Sequence, residues 1–156
     1  MHMPPYKQCR KLSKKVSSKK RSKKRSIPLV YCRKIAFDSN ILIAVERVKA
    51  DVFSMARQLF GEKVKFVVTR QVKDEMKQLQ EREARMQKAV KVALIALRKE
   101  HVRILPTKAE NADLSLIEAA KMGYCIATND IALRKRIKEF GVAIIYLSRN
   151  RFLKIA

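Results

Sequence analysis

Short apolar runs alternate with stretches whose apolar residues recur every three or four positions. Lys34–Phe37 (KIAF) predicts a buried strand ending at Asp38. Ile41 to Val48 predicts a helix with Asn40 as its N-cap. Apolar residues at 52, 53, 56, 59 and 60 predict a second helix, stopped by Gly61. Val64 to Val68 (VKFVV) is β-branched and reads as a strand. Thr69 then caps a helix carrying Val72, Met76 and Leu79. A longer helix over 83–100 shows the stripe Met86, Ala89, Val90, Ala93, Leu94, Leu97. Val102 to Leu105 is a strand closed by Pro106, and Ala112 to Met122 a helix ended by Gly123. Tyr124 to Thr128 is a strand, Ile131 to Phe140 a helix ended by Gly141, and Val142 to Leu147 the last strand.

Five near-continuous apolar strands separated by helices predict an α/β fold, with a parallel sheet covered on both faces. Ligands of such sheets bind beyond the carboxyl ends of the strands. Only three glycines occur, each at a helix end, so no phosphate-cradling loop is present and no nucleotide cofactor is expected. The apolar runs fall well short of the ~20 residues of a membrane span. The N-terminus shows no apolar signal segment, so an intracellular protein without a membrane partner is expected. Cys9, Cys32 and Cys125 are odd in number and widely spaced. They suggest neither a disulfide framework nor a zinc site, and a reducing compartment is the default.

Charge changes the picture. The 156 residues carry 37 Lys and Arg against 14 Asp and Glu, a net +23. Residues 1–34 hold 13 of those cations and no acid. The segment KKVSSKKRSKKR, Lys14 to Arg25, has too little apolar surface to offset its ordering entropy. Residues 1–30 are therefore read as a basic, disordered tail that binds RNA or DNA, a solubility tail or nuclear-import signal being the alternative, and 34–156 as the folded domain. In the tail Lys19, Lys20, Arg21, Lys23, Lys24 and Arg25 are candidate phosphate contacts. In the domain Arg134, Lys135, Arg136, Lys138, Arg149 and Arg151 are further candidates. A basic tail reads phosphates rather than sequence, so any selectivity would come from outside it.

Four carboxylates stand where a site could form. Asp38 closes the first strand, and Asp130 follows the fourth by two residues. If those strands are neighbours, the two face each other at one sheet edge. On helical geometry Asp113 projects between Leu116 and Ile117, inward rather than to water. Glu75 flanks the Val72–Met76–Leu79 stripe. Each aspartate alone could be a helix cap, and Glu75 alone a surface residue. Together, without basic partners, they suit a hard divalent cation, since Mg²⁺ and Mn²⁺ prefer oxygen ligands.

These motifs resemble those of the PIN-domain nucleases. The resemblance covers residues 34 to 150. It rests on IAFDSN (Asp38, Ser39, Asn40), VVTRQVKDEMKQL (Glu75), NADLSLIEAA (Asp113) and CIATNDIALRKRI (Thr128, Asp130), in that order. Ser39 stands in place of the usual threonine and keeps its hydroxyl. The resemblance implies a three-layer α/β/α domain around a parallel five-stranded sheet. It also implies an endoribonuclease that leaves a 5′-phosphate and a 3′-hydroxyl. Asp38, Glu75, Asp113 and Asp130 would hold Mg²⁺ or Mn²⁺, with Ser39, Asn40 and Thr128 orienting them.

Within the family, ATND followed by LRKRIKEFG, and the final IIYLSRNR, are similar to PIN nucleases of small-subunit ribosomal RNA maturation. That implies precursor ribosomal RNA as substrate and pre-ribosomal proteins as partners. The compact build resembles archaeal members, implying a cytoplasmic protein; a eukaryotic one would be nucleolar. Pairing into a homodimer is common in the family. Two alternatives stand beside this reading: a toxin-type PIN ribonuclease with a protein antitoxin, and a non-catalytic RNA-binding assembly factor.

Overall fold

The computed structural model describes residues 31–156. The cations expected to bind RNA in the tail lie outside the described residues. The elements run in chain order β1 (Lys34–Phe37), α1 (Ser39–Val48), α2 (Val52–Phe60), β2 (Lys65–Thr69), α3 (Arg70–Arg82) and α4 (Gln87–Lys99). Then follow β3 (Arg103–Leu105), α5 (Ala112–Lys121), β4 (Cys125–Ala127), α6 (Ile131–Ile137), β5 (Ile144–Leu147) and β6 (Leu153–Ile155).

The strands form one sheet in the order β3-β2-β1-β4-β5-β6. The first five run parallel, and β6 pairs antiparallel with β5, Tyr146 opposite Lys154. The chain steps outward from β1 to β2 to β3, then crosses to β4 on the other side of β1. Right-handed crossovers place the helices of those two directions on opposite faces. The order therefore reverses between β1 and β4, at the register Ala36↔Ile126 and Phe37↔Ala127. Their carboxyl ends open a crevice at this switch point, where ligands of α/β sheets settle.

The expected alternation holds, with four corrections. The N-cap of α1 is Asp38, not Asn40: its carboxylate accepts from the Ser39 N–H, and the helix begins two residues early. The helix expected over 83–100 opens as a single 3₁₀ turn, Ala84–Met86, before α4 begins. Glu83 is extended there, which lets α3 and α4 fold back on each other. The sheet has six strands rather than five. Three-residue β6 carries no periodic signal of its own and exists by pairing with β5 across a turn in which Arg151 takes a positive φ of 64°. Finally, Cys32 and Cys125 form a disulfide across 93 residues of sequence, which their spacing did not suggest. Strand pairing supplies the reason: the approach to β1 and the start of β4 are neighbours, with Cα atoms 6.2 Å apart.

Apolar strand residues fill the core. Ile35, Ala36, Phe37, Ile126 and Ala127 are fully buried. Phe37, Phe53 and Phe66 form an aromatic cluster with ring centroids 5.0–5.6 Å apart, seating α2 against β1 and β2. No described helix is long and apolar enough to cross a membrane.

Candidate active site

Asp38 leaves the end of β1 and is almost wholly buried, 4% exposed. Its Oδ1 accepts from the Ser39 N–H at 2.7 Å and its Oδ2 from the Thr128 hydroxyl at 2.6 Å. Thr128 follows β4, so this bond ties the two strands across the switch point. The same Thr128 oxygen accepts from the Asp130 N–H at 3.1 Å. Asp130 Oδ1 in turn accepts from the N–H groups of Ala132 and Leu133, capping α6. Asp38 and Asp130 thus share one threonine, the first through its carboxylate and the second through its backbone N–H.

Glu75 reaches the cluster from α3. The Ser39 hydroxyl donates to its Oε2 at 2.8 Å while lying 3.4 Å from Asp38 Oδ1. Asp113 sits in the first turn of α5, whose N-cap is Asn111. Its side chain is exposed, which corrects the inward orientation drawn from helical geometry. The first turn of α5 borders an open cleft, so the face nearest the sheet edge meets solvent rather than core. Asp38, Ser39, Asn40, Glu75, Asp113 and Asp130 line this cleft together. Its other wall is apolar, with Ile43, Leu79 and Met86, and Arg47 lies on its rim.

Burial pushes the Asp38 carboxyl from an ordinary 3.8 up to about 6. The Thr128 and Ser39 hydrogen bonds pull the other way, and the charges of Glu75 and Asp113 add a further rise. The ion pairs among the described residues join Glu46 to Lys49 and Lys88, Arg57 to Glu100, and Arg85 to Glu83. None engages a carboxylate of the cleft. An all-oxygen donor set with no salt bridge among the described residues fits Mg²⁺ or Mn²⁺. Among the described residues no three acidic, His or Cys side chains already close on one point. Water would therefore complete the shell, as it usually does for Mg²⁺.

A family profile described as a PIN like domain matches residues 35–151. The chain belongs to the PIN-domain nuclease family. It is similar to Ribonuclease VapC9 of Archaeoglobus fulgidus, 37% identical over 116 residues, covering 73% of this chain and 82% of that protein. Its fold is similar to that in the structure of the PIN domain endonuclease Utp24. There the TM-score is 0.66 at 20% identity, over 78% of this chain and 90% of the other.

Other expected residues are placed less uniformly around this PIN domain. Asn40 accepts from the Asn129 N–H at 3.2 Å, beside the cleft. Lys135, Arg136, Lys138, Arg149 and Arg151 are exposed. Arg134 is not a free surface cation: its guanidinium lies 4.7 Å from the Tyr146 ring centroid, with Nε buried. Sequence reasoning missed Arg47, whose approach to the cleft follows only from how α1 packs. It also missed Asn129, whose side-chain oxygen accepts from the Leu147 N–H at 2.8 Å and so ties the Asp130 loop to β5. The ATND motif was the available signal for Asn129.

Proposed function

We propose that this PIN domain is a divalent-metal-dependent endoribonuclease whose metal ligands are Asp38, Glu75, Asp113 and Asp130. The observation that carries the reading is the gathering of four carboxylates, none in a salt bridge among the described residues, in one cleft at the switch point. A bound Mg²⁺ or Mn²⁺ supplies a water of lowered pKa and stabilises charge on the phosphate oxygens.

The chain's own residues do the positioning. Thr128 fixes Asp38 by its side chain and Asp130 by its backbone. Ser39 bridges Asp38 and Glu75 and limits their separation. The Asp130 cap leaves Oδ2 with no hydrogen-bond partner among the described residues, available as a ligand. Arg47 on the cleft rim is placed to meet a backbone phosphate. Lys135, Arg136, Lys138, Arg149 and Arg151, with the basic residues of the tail, would hold the rest of the RNA by charge. The products expected are a 5′-phosphate and a 3′-hydroxyl.

For substrate, the reading is maturation of small-subunit precursor ribosomal RNA, with pre-ribosomal proteins helping to choose the bond. The long basic N-terminal segment and the final IIYLSRNR motif support it. A second reading, a toxin-type ribonuclease held by an antitoxin, is favoured by the 37% identity to VapC9. One assay tests both. Purified protein is incubated with a precursor small-subunit RNA fragment and with an unrelated RNA, with Mn²⁺, Mg²⁺ or chelator, beside Asp38→Asn. Discrete, metal-dependent cuts in the precursor alone support the first reading. Cutting of the unrelated RNA, with growth arrest on expression, supports the second. Metal-independent cutting, or equal cutting by Asp38→Asn, sinks the proposed site.

A further inference from the structure

Glu75 and Asp113 stand on different helices, α3 and α5, and no hydrogen bond joins them among the described residues. Something else must fix their separation. Thr69, the N-cap of α3, and Ser115, in the second turn of α5, are both fully buried. Their hydroxyl oxygens are 2.7 Å apart. The Ser115 hydroxyl also lies 2.6 Å from the Ala112 carbonyl, to which it can only donate. Its one proton is committed there, so Thr69 must donate to Ser115. Thr69 in turn accepts from the Val72 N–H at 3.2 Å.

A directed chain results: Val72 N–H to Thr69 to Ser115 to the Ala112 carbonyl. It begins three residues before Glu75 and ends one residue before Asp113. Both hydroxyl protons are used within the chain and both groups are fully buried, so the pair is a strut rather than a ligand or nucleophile. A second link runs parallel to it. Gln71 in the first turn of α3 donates to the carbonyls of Ala109 (2.7 Å) and Thr107 (3.3 Å) and accepts from the Thr107 hydroxyl (2.7 Å). This holds the loop that delivers α5. One turn of α3 therefore grips both the approach to α5 and its first turn.

We propose that this clasp, Thr69–Ser115 supported by Gln71, sets the spacing of the Glu75 and Asp113 carboxylates. Through that spacing it sets the affinity of the cleft for a divalent cation. Thr69, Gln71 and Ser115 are positioning residues. The proposal rests on the metal reading given above. Two buried hydroxyls facing each other would be an inefficient way to fill a core, since an Ala and a Val would do so without any polar group to satisfy. Partners that orient metal ligands commonly change affinity or activity 10–100-fold when removed.

The test is calorimetric Mn²⁺ binding to the full chain, with a melting curve for each variant. Ser115→Ala and Thr69→Val should each weaken Mn²⁺ binding about 10-fold. The double variant should lose little more than either alone, because the hydroxyls act as one unit. Thr69→Ser, which keeps the hydroxyl, should stay close to wild type. Gln71→Leu, at a half-buried position, should weaken binding even if a buried variant fails to fold. Leu153→Ala on edge strand β6 is the control for lost stability and should leave affinity unchanged. Folded Ser115→Ala or Gln71→Leu binding Mn²⁺ as wild type does would overturn the proposal, as would an equal loss in Leu153→Ala. A wild-type protein that takes up no Mn²⁺ overturns the metal reading itself, and the clasp with it.

Discussion

At the residue scale, the energetics of Asp38 are unusual. A carboxyl pushed from 3.8 to about 6 binds its proton more tightly in the folded chain than in the unfolded one. Stability therefore falls as pH rises from about 4 to about 6, and the penalty is complete above that range. The shift corresponds to about 3 kcal/mol. Asp38→Asn should accordingly melt higher than wild type near neutral pH, with the gap closing below about pH 4. A wild-type melting temperature that does not depend on pH across this window would contradict the burial argument. Mn²⁺ should raise the wild-type melting temperature and leave that of Asp38→Asn unmoved. Cleavage by Asp38→Asn or Asp130→Asn should fall by more than about 100-fold, the upper end seen for mere supporting partners. Filter binding should show RNA affinity kept.

At the scale of elements, the site depends on β1 and β4 lying side by side. Their pairing is reinforced by the Thr128–Asp38 hydrogen bond at the carboxyl end and by the Cys32–Cys125 disulfide at the other. A bridge spanning 93 residues removes much entropy from the unfolded chain. Its reduction should cost about 3 kcal/mol, and Cys32→Ser should melt like the reduced wild type. Melting with and without reductant checks this; identical curves would show that the bridge contributes nothing. The aromatic cluster seats α2 independently of both links. Phe53→Ala should cost about 3–5 kcal/mol in urea unfolding, the usual range for a buried phenylalanine.

At the scale of the whole molecule, positive charge dominates. The carboxylate cleft is a small acidic feature on a chain of net charge +23. Residues 1–30 hold 11 Lys and Arg and no acid, so removing them leaves +12. RNA binding by the shortened protein should show a shallower dependence on salt. The log–log slope should drop by about 0.7 for each single-strand phosphate that the tail had neutralised. Metal-dependent cutting of a short RNA at low salt should survive. An unchanged slope, measured by fluorescence anisotropy across a salt series, would assign RNA binding to the folded domain instead.

How much of this was legible before folding depends on the range of the signal. The inner parallel strands β1, β2 and β4 stand out as apolar runs because they are buried on both faces. The cap Thr69 and the stop at Gly61 are local features that follow from residue type. The four acids could be picked out because Asp38, Asp113 and Asp130 stand near element ends and Glu75 flanks the apolar stripe of its helix. What failed was less local. Asp113 lines an open cleft with residues of three other elements, which its own periodicity cannot state. The half-burial of Arg134 against Tyr146 of β5 is likewise beyond its local pattern.

The sequence by itself determined the alternation of strand and helix, the identity of the acids, the excess of positive charge and the family motifs. Hydrophobic period, propensity and side-chain chemistry act within a few residues, so these are written locally. Only the tertiary structure decided that β1 lies against β4, that Thr128 serves both Asp38 and Asp130, and that Cys32 meets Cys125. It alone also brought Thr69 to Ser115 across 46 positions. Such pairings depend on strand order and crossover direction, and these are settled by packing the whole sheet and its helices at once.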